Sequence, residues 1–232
     1  MPVIDADHLP QGDEKAEAVR AMFDAIAPRY DLVNRIMTFR MDVGWRRRTV
    51  RTLGLPGGAT VLDLACGTGD LCRELTTSGY RPIGMDLSFG MLAAARTEAP
   101  LVHADALRLP VSEGSVDGVT CGFALRNFVD LEPFLAELSR VLRPGGRIAL
   151  LEVGEPPNAF LRWGHGIYFG KVVPLIGGLL SDAAAYRYLP KSVAYLPEPD
   201  ELVAMIGRAG FARPTRDLLS TGIAQLLTGT KA

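Results

Sequence analysis

Between residues 59 and 152, short apolar runs closed by glycine, proline or a charged residue alternate with longer stretches whose apolar positions recur at helical spacing. The runs at 59–64, 81–86, 100–103, 115–121 and 146–152 are predicted strands, and the stretches at 69–78, 89–97 and 130–143 are predicted helices. Runs that stay apolar on consecutive positions suit strands covered on both faces. Their alternation with helices predicts a parallel sheet with right-handed crossovers. The helix after Asp130 ends at VLRPGGR, where Arg140 and Arg143 complement the helix C-terminus and Pro144 with two glycines stops it. After a last helix at 198–209, segments 213–219 and 222–230 form a predicted terminal antiparallel pair with Gly222 at the bend. Residues 1–14, polar and broken by Pro10 and Gly12, are expected to be disordered. Residues 15–232 then make a single domain, with a helical piece at 15–52 and an insertion at 153–197 before the last helix.

The candidate chemistry begins in VLDLACGTGD, residues 61–70. A strand closes on Asp63, Gly67 and Gly69 leave a turn free of bulky side chains, and a polar helix restarts at Asp70. Glycines there permit unusual dihedrals and close approach, and the helix N-terminus offers unpaired N–H groups. Such a turn suits a nucleotide-like ligand, and equally occurs as a purely structural turn. The second strand, RPIGMDLS, ends in Asp86, whose carboxylate can accept both hydroxyls of an adenosine ribose. A pyrophosphate-binding turn would carry a third glycine. Cys72 stands in its place, and Asp70 would repel a pyrophosphate and suits a cationic amino-acid end instead. In HADALRLP, Asp105 and Ala106 follow the short strand LVH and can bracket an adenine. The three acidic strand ends fit S-adenosyl-L-methionine better than a phosphate-rich ligand. The expected fold class is α/β, of the class I S-adenosylmethionine-dependent methyltransferase kind. It is Rossmann-like, with a mostly parallel seven-stranded sheet, a terminal antiparallel hairpin, and helical N-terminal and insertion caps.

Composition narrows the alternatives. The 232 residues are 48% hydrophobic, enough for one α/β domain with an added cap. Lys+Arg 25 against Asp+Glu 26 leave a formal net charge of -1, so no basic field argues for nucleic acid. Cys66, Cys72 and Cys121 lack C-x-x-C spacing and read as reduced thiols. His8, His103 and His165 are equally scattered, and no metal site is expected.

Several longer blocks occur in a specific order: MFDAIAPRYDLVNRIMTF at 22–39, LDLACGTGDL, GFALRNFVD at 122–130, VLRPGGR, and AYRYLPKSVAYLP at 185–197. Together they resemble the ubiquinone/menaquinone biosynthesis C-methyltransferase family, from about residue 17 to the end. The resemblance implies methyl transfer from S-adenosylmethionine to a ring carbon of a prenylated benzoquinol or naphthoquinol. The short N-terminus and lean core are more like the demethylmenaquinone branch. Carried onto this chain, the family's cofactor contacts fall on Thr68 with its flanking Gly67 and Gly69, on Asp86, and on Asp105 with Ala106. Gly122 replaces the family's serine at the end of the fourth strand and offers only backbone groups. Ala124 replaces a glycine, and Leu227 stands where the family often has histidine.

A neutral hydroquinone is a weak carbon nucleophile, and loss of a hydroxyl proton pushes electron density onto the adjacent ring carbon. Holding the two partners in line lowers the barrier by roughly 7 to 11 kcal/mol. Under the resemblance, Arg126 holds the phenolate electrostatically, and Asn127 and Tyr30 orient it or a relay water. Arg126 is not itself the base, because a guanidinium does not deprotonate in proteins. Each candidate has an ordinary alternative. Arg126 can pair with Asp130, Tyr30 can share an apolar helix face with Phe23, Asp31 and Asn34 can cap a helix break, and His103 can be buried at a strand end.

The insertion HGIYFGKVVPLIGGLL is the most apolar stretch after the core, but Lys171, Pro174 and paired glycines interrupt it. It is too short for a membrane span. Two roles stay open for it. It can receive an isoprenoid tail as a lid or interfacial patch, with Trp163, Tyr168 and Phe169 as anchors. It can equally be a homodimer contact or cap packing. The matching location is cytoplasmic, with peripheral contact at the inner face of the plasma membrane. A small-molecule or RNA methyltransferase would keep the acidic strand ends without needing the apolar insertion. A non-catalytic lipid-binding protein would tolerate loss of cofactor residues, and Gly122 is the one departure in that direction.

Overall fold

A mainly apolar run makes Thr60–Leu64 (β1) a strand buried along almost its whole length, and it lies third in a seven-stranded sheet. The computed structural model describes residues 11–180, 185, 188 and 191–232. Arg81–Asp86 (β2), Leu101–His103 (β3), Val116–Gly122 (β4) and Leu142–Val153 (β5) extend the sheet in parallel. Phe211–Leu219 (β6) and Ala224–Lys231 (β7) close it in antiparallel fashion, giving the order β3-β2-β1-β4-β5-β7-β6. The β6–β7 bend contains Gly222 at φ 101°, a left-handed conformation that favours glycine.

Both faces of the sheet are covered, which is why its central strands are not alternating. Leu131–Val141 (α6) and Pro199–Arg208 (α9) pack Phe134, Leu138 and Ile206 with Leu62, Val119 and Ile148. Met41–Leu53 (α3) and Asp70–Thr77 (α4) pack Val50, Leu53 and Leu75 with Val61, Ala149 and Leu226 on the other face. Each such side chain contributes about 1.5 to 3 kcal/mol on full burial. A separate small core joins Ile26 of Gly12–Ile26 (α1), Val33 of Tyr30–Met37 (α2), Met91 of Phe89–Ala93 (α5), Val173 of Val173–Leu180 (α8), and Tyr188. α1, α2 and the insertion therefore share, with α5, a core distinct from that of the sheet. Ala159–Ile167 (α7) buries none of its residues.

Four expectations change. Residues 12–14 are helical, while 1–10 lie outside the described residues. The N-terminal helix breaks earlier than expected, in a 3-10 turn at Ala27–Arg29 that contains Pro28. The helix expected over 89–97 stops at Ala93, because the following segment straps onto the glycine turn. There the Arg96 N–H donates to the Thr68 carbonyl at 3.0 Å, and the Thr97 methyl lies 2.6 Å from where a Cβ on Gly69 would sit. Finally, β5 begins at Leu142, inside the expected VLRPGGR turn, with a register shift between Val116 and Gly118 taking up the irregularity.

Candidate active site

The strand order reverses between β1 and β4, the place where open parallel sheets leave a crevice beyond their strand ends. Ala65 and Phe123, the residues directly after these two strands, both have positive φ, 49° and 60°. A non-glycine residue held this way costs about 1 to 3 kcal/mol, and such residues gather at ligand sites. Two cavities open here.

The first cavity, the more polar of the two and called the polar cavity below, has a volume of about 140 Å³. Gly67, Asp86, Asp105, Ala106, Gly122 and Asn127 lie in its wall, with α1 and Tyr30 across from them. Asp86 is held firmly: its Oδ2 accepts the Gly67 N–H and its Oδ1 the Ser88 N–H, both at 2.8 Å. Burial pushes its carboxyl above the usual range, and each oxygen keeps a second lone pair for a ligand hydroxyl. Asp86 thus anchors the glycine turn as well as bordering the cavity. Asp105 is exposed and accepts the Leu107 N–H at 2.9 Å. A Cβ on Gly122 would come within 3.0 Å of Leu71, so a serine there would crowd α4. Carboxylate acceptors beside apolar Ala106, Leu107 and Phe128 fit a ribose, a cationic amino-acid end and an adenine, the parts of S-adenosylmethionine.

Other expected cofactor contacts lie elsewhere. Asp63 is fully buried and borders neither cavity; its Oδ1 accepts from Thr120 Oγ1 at 2.9 Å, and the Cys72 thiol lies 3.4 Å from its Oδ2. Burial pushes its pKa up to about 7. Thr68 turns its hydroxyl to Asp31 Oδ1 across 37 residues, tying α2 to the turn. Gly69 packs on Thr97. Asp70, expected to face a cationic ligand end, is instead met by Arg35, Arg46 and Arg73. His103 is exposed, not buried, with Nε2 2.9 Å from the Leu87 carbonyl.

The second cavity, about 390 Å³, is walled by Trp45, Phe123, Phe160, Tyr168 and Phe169, with Tyr30, Arg126 and His165 among its few polar groups. Tyr30 and Phe123 border both cavities, so the two spaces meet at these rings. Tyr30 starts α2 and Phe23 lies in the last turn of α1; they share no helix, yet their rings meet edge to face at 5.9 Å. Burial raises the Tyr30 hydroxyl pKa, so it remains a protonated donor at neutral pH.

Arg126 is buried and pairs with Glu152 rather than with Asp130. Its Nη1 donates to Glu152 Oε1 and to the Phe123 carbonyl, its Nε to Ser192 Oγ at 3.1 Å, and its backbone N–H to Glu152 Oε2 at 3.2 Å. Asp130 caps α6 through the Glu132 N–H. Tyr188 donates to Asn127 Oδ1 at 3.4 Å. The LRN turn is thereby gripped by β5 on one side and by the 185–197 block on the other, of which Ala185, Tyr188 and 191–197 are described. Glu152 and Ser192 were not among the expected site residues. A carboxylate inside the apolar run IALLEV was the signal for Glu152, since a buried charge requires a partner.

Solved structures share the fold. A SAM-dependent methyltransferase from Thermotoga maritima superposes with a TM-score of 0.64 at 20% identity, covering 91% of this chain and 99% of that one. Phosphoethanolamine N-methyltransferase 2 of Haemonchus contortus, solved with S-adenosyl-L-methionine, gives 0.59 at 15% identity over 80% of this chain and 52% of that one. Sequence relatives are much nearer. The demethylmenaquinone methyltransferase of Thermus thermophilus is 44% identical over 90% of this chain and 100% of its own. The ubiquinone/menaquinone biosynthesis C-methyltransferase of Syntrophotalea carbinolica is 40% identical over 92% of this chain and 94% of its own. Residues 11–231 match the ubiE/COQ5 methyltransferase family, and the chain belongs to that family.

Proposed function

We propose that this methyltransferase transfers the methyl group of S-adenosyl-L-methionine to a ring carbon of a prenylated quinol, converting demethylmenaquinol to menaquinol. The observation that carries this reading is the meeting of the polar and apolar cavities at Tyr30 and Phe123, with Arg126 in the wall on the apolar side. The bound cofactor supplies an electrophilic methyl group on a sulfonium centre. Asp86, Asp105, Ala106, Gly67 and Gly122 would hold it from the strand ends. Arg126 and Tyr30 stabilise the quinol oxygen as it takes on negative charge, with Asn127 orienting the ring or a relay water. The buried Arg126–Glu152 pair fixes where that guanidinium stands before any substrate arrives.

Residues 15–52 serve as a lid and 153–197 as a substrate cap. The polar cavity is smaller than the roughly 300 Å³ at which ordinary small-molecule pockets begin, so α1 moves to admit the cofactor. Its latches are specific: Asp24 Oδ1 accepts from Ser88 Oγ at 2.6 Å and the Gly90 N–H at 2.8 Å, and Lys15 Nζ donates to the Phe128 carbonyl at 2.6 Å. The isoprenoid tail occupies the apolar cavity. Phe39, Phe160 and Trp163 stand exposed at its wall, with exposed Arg40, Arg162 and Lys171 nearby in the chain, a composition suited to an anionic membrane surface from which the quinol is drawn. The contact proposed is a peripheral one; no helix among the described residues is long and apolar enough to cross a membrane.

Methyl transfer from labelled S-adenosylmethionine into a panel of reduced naphthoquinones and benzoquinones of varied tail length tests the reading. Label in the ring of a prenylated demethylnaphthoquinol is the expected product. Label only in benzoquinols would move the chain to the ubiquinone branch, and label in none would overturn the proposal.

A further inference from the structure

Among the described residues, Nε2 of His165 is the buried side-chain polar atom without a hydrogen-bond partner. His165 lies near the end of α7, in the wall of the apolar cavity, with its ring 4.5 Å from that of Phe169. An unpaired buried nitrogen carries a desolvation cost that a ligand bringing the matching group removes. The backbone also changes character here. Tyr168–Val172 forms a π-helical turn, a departure from α geometry often found at functional sites. Burial holds the imidazole below the ordinary histidine range, so at neutral pH it is uncharged, with one ring nitrogen able to accept. A half-turn of the ring about Cβ–Cγ exchanges Nε2 with Cε1 without moving α7.

We infer that His165 is a positioning residue for the substrate, its Nε2 accepting a hydrogen bond from the quinol hydroxyl beside the tail-bearing carbon. This deepens the quinol function proposed above and rests on it. A 1,4-quinol carries two hydroxyls, and the chemistry calls on only the one next to the carbon that is methylated. Arg126 and Tyr30 serve that oxygen. The other oxygen lies ortho to the tail, and Phe160, Tyr168 and Phe169, apolar neighbours suited to the tail, belong to the same stretch of chain as His165. His165 touches no reacting atom in this arrangement. It sets which way round the ring lies, and therefore which ring carbon faces the methyl donor.

The test uses the full chain with S-adenosylmethionine and a short-tailed demethylnaphthoquinol. It also uses, as a competitive inhibitor, a naphthol with the same tail that lacks the hydroxyl beside it. H165F and H165L should raise the quinol KM about fivefold to tenfold, the value of one lost neutral hydrogen bond, with kcat within twofold. The inhibition constant of the naphthol should not move, and H165Q, whose amide restores an acceptor, should recover most of the KM. Equal weakening of quinol and naphthol would reduce His165 to cavity packing and overturn the inference. So would an unchanged KM in both apolar variants. A wild-type chain that methylates no quinol would overturn the function beneath it, whereas wild-type turnover with unchanged variants would overturn the His165 assignment alone.

Discussion

The polar cavity takes its groups from residues at or just past the ends of successive strands: Gly67 after β1, Asp86 closing β2, Asp105 after β3, and Gly122 closing β4. The apolar cavity draws its wall from α2, α3, α7, the π-helical turn and the β6–β7 bend, elements far apart in the chain. The two also differ in how their polar atoms are held. Both oxygens of Asp86 are gripped by backbone N–H groups that the sheet puts in place. Arg126, in contrast, relies on Glu152 from β5, Ser192 from the far block, and the Phe123 carbonyl. One half of the candidate site is a property of sheet geometry, and the other is an assembly that exists only when the N-terminal helices, the insertion and the sheet are docked.

The sharpest way to break this contrast is through the buried ion pair. Glu152→Leu alone strands a buried guanidinium and should destabilise the chain by about 3 to 5 kcal/mol, read by urea denaturation. The pair Arg126→Met with Glu152→Leu should recover most of that loss. In the double variant, turnover should still fall by roughly 10² to 10³, the cost of losing one transition-state donor, with S-adenosylmethionine affinity retained. Normal turnover there would leave Arg126 a packing residue and remove the functional half of the comparison.

The strand-end side has its own signature in pH. The Asp63 carboxyl, raised by burial from 3.8 to about 7, binds its proton more tightly in the folded chain than in the unfolded one. Its contribution to stability is complete below the unfolded value and is lost as pH rises through the folded one, a change on the order of 4 kcal/mol between pH 4 and 7. Asp86 shifts in the same direction. Denaturation midpoints should therefore fall across this window, and Asp63→Asn should flatten most of the slope. An unchanged slope would show that Asp63 is charged and partnered in a way its surroundings do not suggest.

A smaller effect separates anchoring from binding. Asp105→Ala should weaken S-adenosylmethionine binding by tenfold or more in calorimetry, since a charge-assisted hydrogen bond contributes about 1.5 to 3 kcal/mol, with little change in Tm because the carboxylate is exposed. Asp86→Ala should weaken binding similarly and also lower Tm, through its lost hold on Gly67 and Ser88. Full affinity in both variants would detach the strand ends from the cofactor. The smallest expected effect concerns the exposed surface of the cap. Leu175, exposed on α8 and outside both cavities, should on change to Ser reduce partition to anionic vesicles roughly threefold to tenfold. A wild-type chain that leaves such vesicles unbound would confine the cap to closing over the substrate.

The sheet was legible because each central strand is a local apolar run and each crossover helix a local periodicity, so both are written in adjacent residues. Asp86, Asp105, Ala106 and Gly122 were legible for the same reason, as residues at the ends of those runs. Asp63, Thr68 and Asp70 belong to the same motif, yet in the structure their side chains meet protein partners that the motif does not name. Spacing places a side chain at a strand end, but not which distant helix returns to claim it. Asp31 and Arg35 come from α2, and Arg46 from α3. Arg126 was recognised, but its partner Glu152 lies 26 residues onward in the chain, on β5, the strand neighbouring β4. The sequence by itself determined the fold class, the family and which strand-end residues border the first cavity, since these rest on short-range pattern. Only the tertiary structure decided the ion pair, the latches of α1 and the wall that contains His165. Their energies come from buried polar pairing and side-chain packing between segments dozens of residues apart, which local pattern does not specify.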